Sequence, residues 1–79
     1  MEIRQIFAAN LRRYRTEKGF SQEELAHQAG LNRTYISSLE RCVYAASIDV
    51  VGRVAEVLEI EPWQLLIQAD DGSKQADGT

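Results

Sequence analysis

Seventy-nine residues with one cysteine and one histidine leave room for one small domain, and exclude an internal disulfide and a zinc-ligand cluster. With 44% hydrophobic and 27% charged residues the composition is ordinary for a globular protein; no apolar run is long enough to span a membrane and Met1 is not followed by a secretory pattern, so the chain is expected in the cytoplasm. The net charge of −3 is unevenly spread: residues 1–47 carry seven Lys/Arg and five Asp/Glu (+2), residues 48–79 two and seven (−5), a basic front on an acidic whole that is compatible with polyanion binding but lowers its non-specific part.

The recurrence of Ile3, Phe7, Leu11 and Tyr14 predicts a helix over 3–18 with one buried stripe, ended by Gly19. Arg12, Arg13 and Lys18 fall off that stripe and read first as surface charges, with phosphate contact as the alternative. Ser21 and Glu24 have the spacing of a capping box, which starts a second helix at Gln22. Leu25 and Ala29 lie one turn apart on its inner side, small Ala26 admits a close neighbour, and Gly30 can take the positive φ that ends it.

Asn32 is a preferred N-cap for a third helix whose underside is Ile36 and Leu39. At about 100° per residue, the opposite face carries Thr34, Ser37, Ser38 and Arg41, flanked by Arg33 and Tyr35. The plain reading is a solvated face. The sharper one is that a helix of this width fits the DNA major groove, where arginine pairs bidentately with guanine and hydroxyls meet several base edges. A preceding helix joined by a turn is the usual scaffold for such insertion. Arg33, Thr34 and Tyr35 are then the candidates for reading bases, with Ser37 and Ser38 behind them. Tyr35 keeps two readings, its ring packing along the helix or its hydroxyl reaching DNA. Arg41 and Tyr44, at or after the helix end, suit contact with the phosphate backbone.

Ser47 is a plausible N-cap for a fourth helix, with Asp49 favourable in its first turn. Ile48, Val51, Ala55 and Leu58 form one apolar stripe on it, and Val50, Val54 and Val57 a second. One stripe serves the core. Pro62 suits the first position of a fifth helix carrying Trp63, Leu65, Leu66 and Ile67. That helix could cover the second stripe; the favoured expectation is that Val50, Val57, Trp63 and Ile67 contribute to a two-fold dimer interface. The domain should thus span residues 1–69, followed by a flexible polar tail, DDGSKQADGT, over 70–79. No nucleophile, base and orienter set, metal cluster or phosphate loop is present, His27 reads as a solvated surface residue, and an enzyme is not expected.

The segment SQEELAHQAGLNRTYISSLER, residues 21–41, resembles the helix-turn-helix of the Cro/CI-type (XRE) DNA-binding family. Leu25, Ala26, Ala29, Gly30, Leu31, Ile36 and Leu39 sit where that motif wants apolar, small or glycine residues, and the likeness runs over about residues 3–68. Within the family, NRTYISSLER followed by a short loop and SID is most similar to the small controller proteins of restriction-modification systems. The resemblance implies an all-α, compact five-helix, lambda-repressor-like domain with the helix-turn-helix at helices 2 and 3. It implies a homodimer on a pseudo-palindromic double-stranded DNA operator, RNA polymerase as a further partner, and no cofactor or metal. It also implies that Gln22 grips a phosphate, that Asn32 adds a phosphate contact to its capping role, and that Arg15 pairs with Glu40. Glu40 needs such a partner, because a carboxylate in the last helical turn opposes the helix dipole.

A phage-type repressor or an antitoxin is the close alternative, and a protein-interaction module on the same fold a more distant one. The chain departs from the family at Cys42, where a glycine usually follows the Glu-Arg pair, and in the uncharged loop CVYAA. The first predicts a costly left-handed turn, the second a shallower dependence of binding on salt. Cys42 reads as a small packing residue ahead of a redox sensor.

Overall fold

The computed structural model describes residues 2–68. Among these are four α-helices, α1 (Ile3–Lys18), α2 (Gln22–Ala29), α3 (Arg33–Glu40) and α4 (Ile48–Leu58), then one 3-10 turn, Pro62–Leu65. The expected tail over 70–79 lies outside the described residues.

Local chemistry sets the helix ends. Ser21 Oγ accepts from the Glu24 amide at 3.0 Å and Glu24 Oε1 from the Ser21 amide at 2.8 Å. Asn32 Oδ1 accepts from the Tyr35 amide at 2.8 Å, and Ser47 Oγ from the Val50 amide at 3.1 Å. Each bond satisfies an amide that the helix itself leaves orphaned. The C-termini share one solution: a residue at positive φ lets the next amide turn back onto the last helical turn. Gly19 and Gly30 do this at φ +80° and +72°, and Cys42 and Glu59 at +62° and +60°. The amides of Phe20, Leu31, Val43 and Ile60 reach the carbonyls of Arg15, Ala26, Ser38 and Ala55.

Phe7 and Leu11 of α1, Leu25, Ala26 and Ala29 of α2, Ile36 and Leu39 of α3, and Val54, Ala55 and Leu58 of α4 close one core, with Leu65 beneath them. At 0–6% exposure these side chains are effectively dry. Each large one stabilises the fold by about 1.5–3 kcal/mol of transfer free energy.

Three expectations need correction. The fifth helix is a four-residue 3-10 turn; Pro62 does start it, and burial of Leu65 satisfies the core without a further turn. The face of α4 toward the core falls between the two apolar stripes, so Val54 is fully buried and Ile48 is 89% exposed. Ile48 lies in the first turn and at the edge of the covered arc, so no neighbour reaches it. At the N-terminus of α1, Ile3 is 57% exposed and rims an apolar cleft lined by Phe7, Ala46, Val51 and Leu66. Asn10 was not foreseen as structural: it is 1% exposed, and its Nδ2 donates to the Leu65 carbonyl at 3.0 Å and the Ile67 carbonyl at 2.7 Å. Two charge-free hydrogen bonds thus tie the 3-10 turn to the middle of α1.

Candidate nucleic-acid interface

α2 and α3 form a rigid corner. Gly30 turns the chain, the Leu31 amide closes on the Ala26 carbonyl at 2.8 Å, and Asn32 caps the next helix. Ile36 and Leu39, 0% and 1% exposed, anchor the underside of α3 on α1 and α2. What remains outward is polar: Arg33, Thr34 and Arg41 are exposed, and Tyr35 and Ser37 are half-buried. Tyr44, just beyond, is 58% exposed. Among the described residues neither Arg33 nor Arg41 forms an ion pair, so both guanidiniums keep their donors for an external acceptor.

Ser38 must be removed from the candidate readers. It is 4% exposed, because α3 packs on both α1 and α2 and the covered arc therefore runs beyond Ile36 and Leu39 to include it. Its small side chain allows close packing, and its hydroxyl cannot reach a groove. Tyr35 is half-buried and is among the side chains packed against the core.

Arg15 and Glu40 come together. Arg15 Nε lies 2.6 Å from Glu40 Oε2 and Nη2 lies 3.1 Å from Oε1, while Nη1 donates to the Phe20 carbonyl at 2.8 Å. The side chains are 12% and 5% exposed. A bidentate pair of this kind fixes the orientation as well as the distance of two helices. Gln22 opens α2, half-buried, with its Nε2 3.1 Å from Glu40 Oε1; Asn32 is exposed and committed through Oδ1 to its cap, leaving its Nδ2 outside that bond. The Gln22 contact spans 18 residues and has no local sequence signal. Asn10 did have one, since it stands between Phe7 and Leu11 on the buried stripe.

Two of the doubtful cations of α1 have intramolecular partners. Arg13 lies over the Tyr14 ring at 4.4 Å and 3.8 Å from Glu17. Lys18 Nζ is 2.5 Å from Glu59 Oε1, a hydrogen bond and charge contact that hold the Glu59 carboxyl below its ordinary pKa. Val50 and Val57 are half-buried against the core, and Trp63 and Ile67 are 58% and 51% exposed.

A helix-turn-helix family model, HTH_3, matches residues 11–62, which include this corner. Control protein C.SmaI of Serratia marcescens is 37% identical over 78 residues, 99% of this chain and 90% of the relative. The crystal structure of the hypothetical transcription factor NHTF from Neisseria superposes with a TM-score of 0.82 at 40% identity, over 85% of this chain and 77% of that one. A structure of SinR, a master regulator for biofilm formation, in complex with DNA gives a TM-score of 0.74 at 37% identity, over 77% and 98%.

Proposed function

The chain belongs to the XRE-type helix-turn-helix family of DNA-binding transcription regulators, and from that premise we propose that it acts as a homodimeric controller protein of a restriction-modification system. The observation that carries the DNA-reading part is the outer face of α3: Arg33, Thr34 and Arg41 stand exposed on a helix pinned by Ile36 and Leu39. Such a face is unsuited to core packing and suited to a major groove. Arg33 and Thr34 read base edges, with the Tyr35 hydroxyl and Ser37 beside them; Gln22, Asn32, Arg41 and Tyr44 hold the backbone. Likeness to C.SmaI over almost the whole chain supports the controller role, and likeness to SinR bound to DNA supports the mode of binding.

Trp63, Leu66 and Ile67, 58%, 41% and 51% exposed, supply the apolar surface through which two copies meet, with contributions from the half-buried Val50 and Val57. Two recognition helices then face successive major grooves on half-sites about one helical turn apart. Occupancy follows the concentration of the protein itself, and where bound dimers activate, RNA polymerase is the further partner.

Fluorescence anisotropy with the duplex upstream of the protein's own gene tests this reading. Specific binding is expected, and Arg33→Ala should weaken it by about 1–3 kcal/mol while relaxing sequence preference. Equal affinity for that duplex and for random sequence would refute it, as would an Arg33→Ala variant with unchanged discrimination. An adjacent endonuclease and methyltransferase gene pair is expected for the controller assignment.

A further inference from the structure

One buried carboxylate gathers three N–H donors where α1, α2 and α3 meet. Glu40 Oε2 accepts from Arg15 Nε at 2.6 Å, and Oε1 accepts from Arg15 Nη2 and from Gln22 Nε2, both at 3.1 Å. With the Glu40 side chain 5% exposed, these donors replace its water. A carboxylate only accepts, so the Gln22 carboxamide must turn its nitrogen, and not its oxygen, toward Glu40. That nitrogen carries two hydrogens. Glu40 takes one and leaves one.

A DNA phosphate likewise only accepts. A free glutamine at this position would present either end of its amide and would lose rotamer freedom on binding. Held by Glu40, it is already oriented, at the end of α2 where backbone amides also favour an anion. A bare carboxylate beside a phosphate would repel it, and the bidentate Arg15 contact cancels that charge.

We propose that Glu40 is a positioning residue for DNA binding: through Oε1 it holds Gln22 with the amide nitrogen set to donate to a backbone phosphate, and Arg15 neutralises it. This rests on the DNA-binding reading above. The contact is blind to sequence. Because Gln22 is uncharged, it also adds affinity without adding to the number of counterions released.

The test measures anisotropy of a labelled random-sequence duplex at several salt concentrations with the full chain, Gln22→Ala, Glu40→Gln and the double variant. Gln22→Ala should bind about tenfold more weakly, the range for a hydrogen bond to a charged group, with the slope of log affinity against log salt unchanged. Glu40→Gln should lose at least as much, and the double variant should lose little more than Glu40→Gln alone. The side-chain amide protons of Gln22 in the unsubstituted protein provide a readout independent of folding in the variants: by NMR they should be well separated and slow to exchange, and should shift on adding duplex. Losses that multiply, a Gln22→Ala variant of full affinity, or Gln22 amide signals indifferent to duplex would overturn the proposal while leaving DNA binding intact. No binding of any duplex by the unsubstituted protein would overturn both.

Discussion

Cys42 holds a backbone conformation, φ +62°, in which a Cβ is crowded by the neighbouring carbonyl. It does so because the Val43 amide must close on the Ser38 carbonyl at 2.9 Å, and that bond is worth the strain. Cys42→Gly should therefore stabilise the fold by about 0.5–1 kcal/mol, after the extra flexibility of glycine in the unfolded chain is subtracted. Urea melts would show it as a higher midpoint at unchanged slope. Glu59 adopts the same conformation at φ +60° but also receives Lys18, and its acidity depends on that hydrogen bond and charge. Its folded-state pKa lies below the unfolded one. The contribution is thus complete above the ordinary carboxylate range and fades as pH falls through that range to the folded value. Melting temperatures from neutral to strongly acidic pH should fall less steeply in Lys18→Met than in the unsubstituted protein; identical profiles would mean that this exposed contact stabilises nothing.

At the scale of helices, the starts of α2, α3 and α4 were legible because a cap is a local event. Ser21 with Glu24, Asn32, and Ser47 each needed only a neighbour within three residues, and each bond is present. Ser38 and Ile48 were misplaced because burial depends on which distant helix lies across them. A periodicity count centred the outer face of α3 too far toward Ser38, and gave α4 two stripes where the core takes the seam between them. The clamp between α1 and α3 had a partial signal, since Glu40 opposes the dipole of its own helix, yet only resemblance named Arg15. Breaking it on one side should be severe: Arg15→Met leaves a buried carboxylate with one donor and should cost about 3 kcal/mol, judged from buried pairs in general. Arg15→Met combined with Glu40→Met should be closer to the unsubstituted protein than either single change. Thermal melts of the four proteins measure this, and additive losses would show that the pair is not a unit.

For the molecule as a whole, the apolar set at Trp63, Leu66 and Ile67 is the largest commitment. Trp63 is 58% exposed and outside the core, so Trp63→Arg should leave the fold intact and disrupt self-association. Light scattering at micromolar concentration should then give a dimer for the unsubstituted protein and a monomer for the variant. Operator affinity should fall by about 10² or more, because the second half-site is no longer engaged intramolecularly. A monomeric unsubstituted protein would remove the dimer. The number of helices was the part of the architecture least legible in the sequence: Pro62 marked where the last element begins, but its length was set by how soon Leu65 met the core.

The tie from Asn10 to the carbonyls of Leu65 and Ile67 joins points 55 and 57 residues apart along the chain. During synthesis, α1 to α3 are available long before residue 67 has left the ribosome, whereas this tie is not. A nascent chain can therefore complete this packing only at the end of its synthesis, and the surface proposed for a partner copy is ordered last. Newly made protein should fold first and assemble afterwards, which would impose a lag between translation and regulation.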